Sequence, residues 1–262
     1  MLSLPSIDPL YSLSGFVVGA LVGVTGVGGG SLMTPILILL FGIHPATAVG
    51  TDLLYASATK TVGTAVHGLS HTVDWRVVGR LATGSIPMTA ITLYGLSFFG
   101  TESAVAGTLI TAVLSISLFA TALVLIFRKR IVKHYAKQLA SISTRQIRNL
   151  TIAMGMAVGV LVSISSVGAG AIGVTALILL YPKLPMARIV GSDIAHAVPL
   201  TLLAGFGHWL LGLTDLSLLS SLLLGSIPGI ILGSYAAPRM PDAALRYILA
   251  ATLLVVVGRL VF

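Results

Sequence analysis

The sequence predicts an all-α membrane protein: a polytopic helical bundle of two inverted-topology repeats, each with a short glycine-broken helix pair followed by three long transmembrane helices. Three observations predict it. The first is composition: 56% of the 262 residues are hydrophobic and 8% are charged, with a mean hydropathy of +1.06. Soluble domains carry about 25% charged residues, so a fold of this size needs an apolar solvent, and the bilayer supplies one. The second is the recurrence of long apolar stretches along the whole chain. The third is an internal repeat, set out below.

Ten apolar segments are read along the chain. The first half holds Leu10–Thr25, Ser31–Ile43, Pro45–Gly68, Trp75–Gly100 and Ser103–Phe127. The second holds Leu150–Ser165, Ala171–Tyr181, Met186–Leu213, Leu216–Ala237 and Asp242–Leu260. A full crossing takes roughly 20 residues, and six segments approach or exceed that. The first two of each half are short and separated by a glycine-rich break; whether they span or re-enter is open. The first stretch lacks a credible small-residue cleavage pattern and is not read as a removed signal peptide. The domain organisation that follows is a membrane repeat over 1–127, a basic linker over 128–148, and a second repeat over 149–262.

Charge sets the orientation. The linker carries Arg128, Lys129, Arg130, Lys133, Lys137, Arg145 and Arg148, which places it in the cytoplasm. Counting crossings outward, Arg76, Arg80, Lys183, Arg188, Arg239 and Arg246 also fall inside. Only Lys60 and Arg259 of the 15 Lys and Arg are left over, Glu102 and Asp215 fall in outside loops, and both termini fall outside. The net charge of +8 is therefore explained by topology rather than by a nucleic-acid partner. Tyr11, Trp75 and Trp209 near segment ends read as interface anchors. The chain has no cysteine, which excludes disulfides and thiolate metal sites. No cofactor or metal is expected.

The repeat is visible by eye. GFVVGALVGVTGVGGGSLMTPILILL in the first half answers GMAVGVLVSISSVGAGAIGVTALILL in the second. Further on, Gly50-Thr51-Asp52 matches Gly191-Ser192-Asp193, His67 matches His208, and Asp74 matches Asp215. Gly84-Ser85-Ile86-Pro87 matches Gly225-Ser226-Ile227-Pro228 identically. With an odd number of segments per half, the second repeat sits upside down relative to the first, an arrangement common among secondary transporters.

The glycine-rich breaks are the strongest chemical signal. Glycine disfavours a helix interior by about 1 kcal/mol relative to alanine, so the GVGGGS run should break one. Broken backbone at membrane depth must be buried in protein or line a cavity, and the free N–H groups at a helix start attract anions. The candidate anion-binding residues are Thr25, Gly28, Gly29, Gly30 and Ser31 in the first half and Ser165, Ser166, Gly168 and Gly170 in the second. Close helix packing through small residues is the alternative.

Ionisable residues inside membrane segments are expensive and face protein or water. Asp52, Lys60, His67, Asp193, His196 and His208 are the candidates for coupling or gating, histidine being able to change protonation near neutral pH. The plainer readings are a cap or ion pair for the aspartates and headgroup contact for His67 and His208. Pro87 and Pro228 interrupt helix hydrogen bonding and are candidate hinges; shaping of the packing is the alternative.

The N-terminal pattern G-x-x-x-G-x-x-x-G-x-GGG-x-x-x-x-P, the Gly50-Thr51 segment and their return after the basic linker resemble the TauE/SafE sulfite-exporter family over nearly the whole chain. Two departures stand out: the second motif has Ala169 and Ala171 and no counterpart of Pro35, and Asp52 replaces a small neutral residue. The resemblance implies a bacterial inner-membrane exporter of sulfite or organosulfonates such as sulfoacetate. The inverted repeat suggests alternating access, and the intramembrane histidines make proton coupling an option. Its partners would be the sulfur oxyanion or sulfonate and the lipid bilayer, with a homo-oligomer left open. The alternatives are a passive anion channel and an importer of thiosulfate or sulfate-like anions. An enzyme is not expected: Ser31 with His67 is the only nucleophile–base pairing that can be constructed, and no P-loop appears.

Overall fold

The computed structural model describes residues 7–25, 30–68, 73–98, 104–139, 142–168, 170–236 and 242–261. Among these the chain is helical and without strands. Ten helices follow in order: α1 Pro9–Thr25, α2 Gly30–Leu39, α3 Pro45–Gly68, α4 Trp75–Ser97, α5 Ala104–Leu139, α6 Thr144–Ser165, α7 Ala171–Leu180, α8 Met186–Leu210, α9 Leu216–Ala236 and α10 Asp242–Val261. The ten expected segments are these ten helices.

The boundaries differ where charge masks helical pattern. The basic linker expected from 128 is largely helix, because α5 continues through Arg128 to Leu139. Arginine, lysine, leucine and alanine all favour helix, and the helix runs on past its apolar stretch. On the other side, α6 begins at Thr144 rather than Leu150. Ser143 accepts a hydrogen bond from the Gln146 amide while the Gln146 side chain accepts from the Ser143 amide, a capping box that fixes the start. The added turns bring α6 to 22 residues, long and apolar enough to cross a membrane, as are α5, α8 and α9.

Polarity is distributed for lipid. Phe16, Ile86, Ile91, Phe98, Ile116, Phe119, Leu202 and Leu232 turn outward, while Asp52, Lys60, Asp193, His196 and His208 are buried. Trp75 and Trp209, read as anchors, are exposed.

The two repeats exchange partners. α1 packs along α9, and its counterpart α6 packs along α4. Small residues let these backbones touch. A Cβ at Gly19 on α1 would lie 2.6 Å from the Ser226 carbonyl oxygen on α9; one at Gly159 on α6 would lie 2.6 Å from that of Ser85 on α4. The two contacts join equivalent positions of the two halves. The polar staples are reciprocal as well. The Ser192 hydroxyl accepts from the Asp74 amide at 2.8 Å, and the Thr51 hydroxyl accepts from the Asp215 amide at 3.0 Å. Asp74 caps α4 through the Arg76 and Val77 amides, and Asp215 caps α9 through those of Ser217 and Leu218.

Gly159→Val is expected to lower stability by about 1–3 kcal/mol, because the contact is with backbone that cannot step aside. Thermal unfolding in detergent checks it, with Gly79→Ala as the control, since a Cβ there meets nothing within 4 Å.

Candidate functional site

The site is built around the second helix break and the middle of α3 and α8. Where α6 ends, Ser166 takes a left-handed conformation (φ 58°), and Gly168 and Gly170 follow at φ 128° and 119°. Side chains rarely adopt the last two values, so glycine is what allows the chain to turn inside the bundle and start α7. In the first half α1 ends at Thr25 and α2 begins at Gly30. Gly28 and Gly29 lie outside the described residues, as do the side chains of Thr25 and His67.

The expected helix-start anion sites each face a carboxyl group of the protein itself. Asp52, on α3, accepts a hydrogen bond from the Thr34 hydroxyl in the first turns of α2. Asp193, on α8, places Oδ1 against Gly173, the third residue of α7, so closely that a Cβ there would overlap it. A buried helix N-terminus exposes unpaired N–H groups and a positive partial charge, and a carboxyl group answers both. The two aspartates are equivalent in the repeat, so the arrangement occurs once in each half.

Between them lies one cation. Lys60 is 7% exposed, Asp52 0% and Asp193 4%. The lysine is within electrostatic reach of both aspartates and of His196. Among the described residues it forms no hydrogen bond or ion pair. Asp52 Oδ1 and the Ser166 hydroxyl face one another without completing a hydrogen bond of good geometry. Asp52 and Lys60 stand on α3, and the fold adds Asp193 from α8 of the other repeat.

The remaining candidates separate into bonded and unbonded groups. His196 Nε2 meets the Ser85 hydroxyl at 2.8 Å, and Ser226, the equivalent serine, meets the Thr59 hydroxyl at 3.0 Å. The Tyr55 hydroxyl donates to the Gly15 carbonyl. The Ser165 hydroxyl donates to the Leu161 carbonyl of its own helix and accepts from the Val167 amide, so it steadies the break rather than facing a ligand. Ser31 is buried. His208 does not reach headgroups: it is fully buried, and its Nε2–H donates to the Ser163 carbonyl at 2.8 Å while Nδ1 has no partner. Its Cβ stands close to Gly50, where α3 packs on α8. Pro87 and Pro228 lie inside α4 and α9 on exposed faces, and both helices continue through them.

Sequence reasoning missed Thr34, Ser85, Gly173 and Ser226. The repeated GSIP run held the signal for two of them. Its prolines drew attention, but its serines are the groups that point inward to the polar residues of α3 and α8.

The sulfite exporter TauE/SafE family model matches residues 11–260. The chain is 40% identical over 246 residues to the probable membrane transporter protein YjnA of Bacillus subtilis (strain 168), covering 93% of this chain and 95% of that protein. It is 26% identical over 233 residues to YdhB of the same organism, also named a probable membrane transporter protein, covering 88% and 91%. A third, YunE, shares 40% identity over 70 residues, about a quarter of each chain (27% and 26%). No solved structure matches. With ten helices, an apolar exterior and a family match over nearly its whole length, this chain is a multi-pass membrane transporter and belongs to the sulfite exporter TauE/SafE family.

Proposed function

We propose that the chain is a secondary transporter that exports small sulfur-containing anions, sulfite or organosulfonates such as sulfoacetate, across a bacterial inner membrane. The observation that carries this reading is the pair of broken helices, α1–α2 and α6–α7, whose short members α2 and α7 each present a first turn to the buried interior. Both are joined to the same acid–base cluster. The reading has the two repeats opposed in the membrane, so that one site faces either side in turn. It gives Pro87 and Pro228 the role of hinges, and couples movement to protons through Asp52, Asp193 and the buried histidines His196 and His208. The reciprocal staples support it: five crossings per repeat would put Thr51–Asp215 at the outer end and Ser192–Asp74 at the inner end.

The substrate is tested by calorimetry on the purified protein with sulfite, sulfoacetate, taurine, thiosulfate, sulfate and chloride. One sulfur anion is expected to bind selectively. Folded protein that binds none of them contradicts the assignment. Because the chain has no cysteine, orientation can be read from single introduced ones. Ser217→Cys is expected to react with a membrane-impermeant thiol reagent in intact spheroplasts, and Ser143→Cys only after lysis.

A further inference from the structure

The cluster around Lys60 has one cation to two carboxyl groups, and its hydrogen bonding is incomplete. Asp52 uses Oδ2 on Thr34 and leaves Oδ1 unmet, fully buried. Ser166, at the turn between α6 and α7, brings its hydroxyl within reach of the Asp52 carboxyl group without completing a hydrogen bond of good geometry. Lys60 is buried yet bonded to neither acid among the described residues. A buried ammonium without a close partner is costly. Gly168 and Gly170 let the chain turn between α6 and α7 without a side chain of their own. The three groups that reach Lys60 electrostatically come from both repeats: Asp52 from the first, Asp193 and His196 from the second.

We propose that Lys60 is the counter-ion of the transported anion, and that Asp52 and Asp193 are its internal competitors. Each aspartate sits beside one short helix start and attracts Lys60 when substrate is absent. The incoming oxyanion takes the ammonium and the Ser166 hydroxyl, while the aspartates remain with Thr34 and the α7 start. This deepens the anion-transporter reading and rests on it. It also accounts for acidic groups beside an anion path: they lower affinity, so the anion is released as well as bound.

The test is anion binding by calorimetry, with sulfoacetate and the sulfur panel, together with nitrate, phosphate and acetate. Four proteins are compared: wild type, Lys60→Arg, Asp52→Asn/Asp193→Asn, and the neutral triple variant Lys60→Met/Asp52→Asn/Asp193→Asn. The triple variant guards against a single substitution that fails to fold. Lys60→Arg is expected to retain binding. The triple variant is expected to bind roughly 30-fold more weakly or worse. Asp52→Asn/Asp193→Asn is expected to bind more tightly than wild type, an outcome a purely structural role does not give. Wild-type affinity in the triple variant overturns the proposal, as does weakened binding in the double variant. Lys60-dependent binding of a non-sulfur anion alone would uphold the role of Lys60 and refute the sulfur substrate. Binding of no anion by folded wild type overturns both.

Discussion

Lys60→Met is expected to destabilise the protein by about 1–3 kcal/mol, because the buried Asp52 and Asp193 lose the cation within their electrostatic reach. The substitution keeps the length and apolar stem of the side chain, so lost packing is small. What it removes is the one cation that two buried acids face from opposite repeats. Restoring neutrality should therefore restore stability. Adding Asp52→Asn and Asp193→Asn to Lys60→Met is expected to recover most of the loss, since replacing a whole buried ionic group with neutral ones is often close to neutral overall. The three sites are coupled, so the single effects will not add. Denaturant or thermal unfolding in detergent measures all four proteins of the cycle. A Lys60→Met protein as stable as wild type would show that the cluster is not held by charge.

Gly170→Leu is expected to reduce transport roughly 10-fold or more while leaving the protein in the membrane, from about 1–3 kcal/mol of backbone strain. Gly170 caps α7 at φ 119° and ψ −107°, outside the range of a leucine backbone. The variant must either strain that turn or shift the start of α7, and with it the helix end that faces Asp193. Gly212→Asn is the matched control. Gly212 turns the chain between α8 and α9 at φ 73° with nothing within 4 Å of a Cβ, and asparagine tolerates that left-handed region. Transport per folded molecule is expected to survive Gly212→Asn and fail in Gly170→Leu. Equal losses in both would show that the glycines serve folding alone.

The elements were legible because hydropathy and punctuation agree. α3 was read from Pro45 to Gly68, the observed span, because proline opens it and glycine closes its apolar run. The end of α5 was not legible by the same rule: its last turns are charged, and a basic run between two apolar segments reads as a loop. The start of α6 was available in the Ser143-x-x-Gln146 signature, which the apolar reading passed over. The site was partly legible. Intramembrane Asp52, Lys60, Asp193, His196 and His208 announce themselves by their cost in lipid. Their partners do not, because Thr51–Asp215 and Ser192–Asp74 join residues 164 and 118 positions apart, and no local pattern encodes such a pairing. The repeat carried the missing information in another form. Once one of these contacts is known, the equivalence of the halves gives the other. His208 shows the limit of position as a guide: it stands at the end of a helix, yet α3 and the Ser163 carbonyl enclose it.

A sulfur-anion transporter moves its substrate saturably and selectively without a partner protein. The most direct measurement is flux from proteoliposomes containing only the purified protein, loaded in turn with sulfite, sulfoacetate, taurine, thiosulfate, sulfate and chloride. The account predicts saturable flux of one sulfur anion, little chloride movement, and loss of flux in Gly170→Leu. Flux that rises with concentration without saturating and admits chloride equally would make the protein a channel, and folded protein that moves none of the sulfur anions would contradict the account altogether.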